Sequence, residues 1–111
     1  MYLYLELWKA KDEWRALTEV ERETFVGGLA PSISKLTEQG VELIGFSFND
    51  EDVIHRADFT YMAAWRMPSK DLALQMEHLV NDAGFYHYFE QINARGEVSP
   101  PETVLLDMAK G

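Results

Sequence analysis

Cysteine is missing from the chain altogether. That excludes disulfides, thiolate nucleophiles and cysteine metal sites together, and it fits a reducing cytoplasm, the expected location. Positive charge is also scarce. Ten Lys and Arg stand against 19 Asp and Glu, for a formal net charge of -9. No basic stripe is visible, so no nucleic-acid partner is expected, and an anionic membrane would repel this surface. No apolar run is long enough to span a bilayer. The opening residues Met1 to Leu5 lack a basic region, and Glu6 interrupts their apolar run, unlike a signal peptide. Repeats, low-complexity segments and linkers are absent. No phosphate loop follows a strand, because Gly27-Gly28 falls in a helical region without the required lysine and hydroxyl.

What is present suits one globular domain over residues 1–111. The chain is 47% hydrophobic and carries 3 Trp, 5 Tyr and 6 Phe, a large supply of bulky side chains to bury. Alternation over Tyr2–Lys9 predicts a first strand. Asp12 opens a helical segment, and Thr18 with Glu21 forms a capping box for a second start. Apolar positions recur at helical spacing from Val20 to Leu36. Gly27-Gly28 and Pro31 predict a break, with Pro31 opening the next segment. Gly40 ends it. Val41–Phe48 and Phe59–Met67 read as strands joined in a hairpin by a polar loop. Ser69 caps a helix with its stripe at Leu72, Met76, Leu79, Val80 and Ala83, and Gly84 stops it. Phe85–Phe89 is open between a tight helical turn and a strand start. Glu90–Val98 is the fourth strand. Ser99, Pro100 and Glu102 open a short C-terminal helix that covers a sheet edge or reaches a partner subunit.

The order is βαββαβ, an α+β chain with both helical segments on one face of an antiparallel sheet. The first strand has two unlike faces. Leu3, Leu5 and Leu7 make an aliphatic face, expected to pack on the helices. Tyr4, Glu6 and Trp8 make an aromatic and acidic face, expected on the helix-free side. On the fourth strand Ile92 and Ala94 are expected toward the helices, and Gln91, Asn93 and Arg95 away from them. The facing of Phe46, Phe48, Tyr61 and Trp65 is open, since a one-residue slip reverses each strand.

This arrangement resembles the dimeric α+β barrel superfamily of ferredoxin-like proteins, which includes small monooxygenases, muconolactone isomerase-like enzymes and polyketide cyclases. Element order, length and the run Gly84-Phe85-Tyr86-His87-Tyr88-Phe89 carry the likeness. Met1–Trp8 and Phe89–Glu97 resemble an uncharacterised bacterial family within it. The resemblance implies a homodimer with facing sheets and a small organic ligand.

Glu6 is the first catalytic candidate, because a carboxylate among aromatics has a raised pKa and serves as acid or base. Arg95 is expected to bind a substrate carboxylate or neutralise Glu6, and Asn93 to hydrogen-bond a carbonyl or oxyanion. Tyr4, Trp8, Trp65 and Gln91 are expected to line the cavity, with His55 at its mouth. His78 should be exposed and His87 packed. The acidic loop Asn49–Asp58 has oxygen donors but no metal-site spacing, so no metal is expected. Haem is not expected either: the first strand offers Glu6 and Trp8 where haem-degrading relatives use asparagine. Two functions follow: a cofactor-independent isomerase, cyclase or monooxygenase, or a non-catalytic dimeric module that binds a ligand or partner.

Overall fold

The computed structural model describes residues 1–111. Strand β1 (Tyr2–Ala10) leads into α1 (Asp12–Arg15), α2 (Glu19–Gly27) and α3 (Ala30–Glu38). Strands β2 (Glu42–Phe48) and β3 (Tyr61–Met67) follow, then α4 (Lys70–Asp82), α5 (Phe85–Tyr88), β4 (Phe89–Glu97) and α6 (Pro101–Lys110). The four strands form one open sheet in the order β2-β3-β1-β4. All neighbours are antiparallel, so β2 and β4 are the edges.

Local chemistry explains the boundaries. Thr18 accepts from the Glu21 amide while the Glu21 carboxylate accepts from the Thr18 amide, and α2 begins there. The helix breaks after Gly27-Gly28, and Pro31 sits in the first turn of α3, where its missing N–H costs nothing. Gly40 adopts φ 98°. That left-handed step lets the Val41 and Gly40 amides donate to the Leu36 and Thr37 carbonyls. Val41 and Leu36, thus brought together, are both buried in the core. The aromatic run resolves into the single turn α5 and then β4. Ser99 does not cap α6: its hydroxyl bonds the Glu97 carbonyl, and the helix starts after Pro100 without a side-chain cap.

The facing of the sheet is the reverse of expectation. Tyr4 is 1% exposed and lies in the core with Trp65, Met67, Leu36, Ala73 and Met76. The aromatic and acidic face of β1 therefore packs under the helices. Register fixes the rest of that face: Tyr4 lies opposite Trp65 and Arg95, Glu6 opposite Ala63 and Asn93, Trp8 opposite Tyr61 and Gln91. On the helix-free side Leu5 is 39% and Ile92 48% exposed. Ile92 and Ala94 thus face away from the helices. The reason is bulk. Rings from α1, α2 and α5 already crowd the layer above the sheet, with Trp14 against Phe89 at 4.7 Å and Phe25 against Tyr88 at 5.1 Å. Large aromatics from β1 and β3 complete that layer better than leucines.

Helix α6 does not cover a sheet edge. Every one of its residues is exposed, including Leu106 at 64%. No helix of the chain is long and apolar enough to cross a membrane.

Candidate functional site

Between the sheet and its helices lies a cavity of about 340 Å³. Its floor is Glu6 and Trp8 from β1, Trp65 from β3 and Gln91 from β4. Ile33 and Leu36 of α3 wall one side, and Met76 and Leu79 of α4 the other. The left-handed turn at Gly84, φ 80°, ends α4 and swings Phe85 over the end of the sheet. Phe85 stacks on Phe89 at 4.5 Å and meets Trp8 edge-on at 6.2 Å. Phe46 closes the β2 side, edge-on to both Trp8 and Trp65. All three tryptophans of the chain line this cavity.

Glu6 is the only ionisable carboxyl in the lining, and it is 8% exposed. The Trp65 indole N–H donates to Oε1 at 2.5 Å, and the Gln91 amide donates to Oε2 at 2.8 Å. Burial pushes the Glu6 carboxyl above its ordinary range, and these two donors pull partly the other way. The Gln91 amide nitrogen also donates to Asn93 Oδ1 at 2.7 Å. Its carbonyl oxygen is buried without a donor. No lysine, arginine or histidine lines the cavity.

The expected site residues divide. Glu6, Trp8, Trp65 and Gln91 share the cavity. Asn93 supports Gln91 and does not itself line it. Arg95 does not neutralise Glu6; its Nε donates to Glu77 of α4 at 3.0 Å. Tyr4 is sealed in the core beside that pair, and its phenol is raised, first by burial and then by the charges of Glu77 and Glu6. His55 is exposed in the β2–β3 loop at φ 54° and does not line the cavity. His78 is exposed as expected, whereas His87 is exposed instead of packed. Sequence reading missed Trp14, Phe85 and Glu77. Trp14 precedes the capping box and belongs to no long stripe. Glu77 sits beside the apolar stripe of α4, which gives its carboxylate reach to β4.

Such a chain is an α+β protein with a four-stranded antiparallel sheet and an aromatic interlayer pocket around one carboxyl group. It belongs to a family of unknown function (DUF6616), whose model matches residues 1–111. Among curated proteins, none matches the sequence.

Proposed function

We propose that the protein handles a small, largely apolar organic molecule in the pocket above Glu6. One observation carries this reading: a single carboxyl stands in a largely apolar, aromatic-rich cavity, held in place by two hydrogen bonds. A cavity of about 340 Å³ matches the lower range of ligand sites, which are typically ~300–1,000 Å³. A buried acid with a raised pKa supports proton transfer more directly than oxygenation. In an isomerisation or cyclisation, the Glu6 carboxylate takes a proton from one position of the ligand and returns it to another. Gln91 and Trp65 fix the carboxyl for that exchange, and Trp8 and Trp65 hold the ligand body. The alternative is a binding module that uses the same pocket without chemistry.

The reading extends to a homodimer built as a dimeric α+β barrel, with the helix-free faces of two sheets together. The chain exposes 7744 Å², whereas a compact monomer of this length exposes about 6,300 Å². Its radius of gyration is 16.0 Å, against about 13 Å for a compact chain. The excess area exceeds the roughly 800 Å² each partner buries in a standard interface. Leu3, Leu5, Met62 and Ile92 supply apolar contact area on that face, and Val104, Leu105, Leu106 and Met108 supply it on α6. Ala64 opposes Leu5, and Gly96 opposes Leu3, leaving the face low enough for close approach.

N-phenyl-1-naphthylamine, a neutral fluorophore that brightens in apolar sites, tests the pocket. The wild type should brighten it saturably, and Ser32→Phe, which fills the cavity from α3, should not. No saturable brightening with the folded wild type contradicts a ligand pocket.

A further inference from the structure

We propose that the pocket selects a hydrophobic organic cation: a protonated amine whose nitrogen pairs with Glu6 and whose apolar body lies among the tryptophans. This rests on the pocket reading above and adds the chemical class of the ligand.

The lining holds no cationic side chain. Its one ionisable carboxyl has only neutral partners, the Trp65 indole and the Gln91 amide. The nearest arginine on the same sheet face, Arg95, is engaged by Glu77. A carboxylate in an apolar layer without a counter-cation is costly. An ammonium group entering the cavity changes that balance. Its charge meets that of the Glu6 carboxylate, with no covalent bond made or broken. The resulting pair is net neutral.

Hydrogen bonding points the same way. The Gln91 carbonyl oxygen is buried and has no donor, while its amide nitrogen already serves Glu6 and Asn93. A protonated amine offers several N–H groups, one for Glu6 and another for Gln91. A quaternary ammonium offers none, and an alcohol supplies a donor without a charge. The walls add a third preference. Trp65 brings its ring to the carboxyl through its own N–H, and Trp8 is the next residue on the same face of β1. Cations are drawn to indole faces. Anionic ligands meet the opposite: Glu6 in the pocket and a net charge of -9 around it.

The test follows tryptophan fluorescence, which reports on the cavity because all three tryptophans line it. Three molecules of matched size are titrated: 3-phenylpropylamine, neutral butylbenzene and anionic 4-phenylbutyrate. The amine should bind at least tenfold tighter than butylbenzene, and the anion weakest. Glu6→Gln should abolish the preference for the amine over butylbenzene. Equal binding of the amine and butylbenzene by the wild type overturns the cation inference and leaves the pocket reading standing. Tightest binding of the anion does the same. Binding of none of the three overturns both readings. The comparison within the wild type stands even if the variant fails to fold.

Discussion

The two faces of the sheet are built from different materials. Under the helices, β1 presents Tyr4, Glu6 and Trp8, and β3 presents Tyr61 and Trp65. On the free side the same strands present Leu3, Leu5 and Leu7 with Met62 and Ala64. Large rings suit a layer that must bridge a wide gap and still leave space, because rigid planes meet edge-on and do not collapse. Trp8, Phe46 and Trp65 meet at 5.6 and 5.9 Å with interplanar angles above 70°. Short aliphatic side chains alternating with Ala and Gly suit close contact with another flat surface. The difference separates a face that leaves a cavity beneath the helices from a face that exposes a low aliphatic surface.

The sharpest contrast comes from truncating each face. Trp65→Ala removes a buried ring and the indole donor to Glu6. It should cost about 3–5 kcal/mol in urea unfolding. Leu5→Glu on the free face should leave the fold intact by circular dichroism and convert dimer to monomer in sedimentation velocity at micromolar concentration. Two carboxylates brought together across a symmetric interface repel, and neither can be solvated there. If Leu5→Glu instead unfolds the chain while Trp65→Ala is silent, the assignment of the faces collapses.

Glu6 gives a smaller and pH-dependent effect. Folding raises its pKa, so the folded state holds its proton more tightly than the unfolded state does. The associated stabilisation is fully present below the unfolded pKa of about 4.3. It is lost as pH rises through the raised folded value. Glu6→Gln keeps the shape and cannot ionise. Its Tm relative to wild type should therefore rise between pH 4 and pH 8; a constant difference would mean that Glu6 ionises normally. The smallest effect belongs to α6. Leu106→Ser should change the stability of the monomeric Leu5→Glu background by no more than about 0.5 kcal/mol. In the wild-type background it should weaken the dimer.

Much of the architecture was legible because local chemistry writes it. The Thr18–Glu21 box, the Gly27-Gly28 break, Pro31 and Gly84 each specify a backbone event within a few residues, and the structure has each where the residues require it. The grouping of Tyr4, Glu6 and Trp8 was legible too, because alternation sorts side chains into two sets. Which set goes inside was not. That choice depends on the residues waiting above the sheet, and Trp14, Phe25 and Phe85 arrive from three separate elements. A leucine face looks more apolar than one containing glutamate. Yet two hydrogen bonds offset part of the cost of burying Glu6, and the rings around it bury more surface than leucines would. Arg95 was misread for a related reason. Its partner, Glu77, lies 18 residues away on a helix, and no pattern within β4 points to it.

A carbon-13 NMR titration of the Glu6 side-chain carboxyl tests the central claim most directly, run on the wild type and on Leu5→Glu. The account predicts a midpoint clearly above that of an ordinary glutamate, and the same in both proteins, because the helices and not a second copy bury this group. An ordinary midpoint in the wild type, or a raised one that vanishes in the Leu5→Glu monomer, would contradict it.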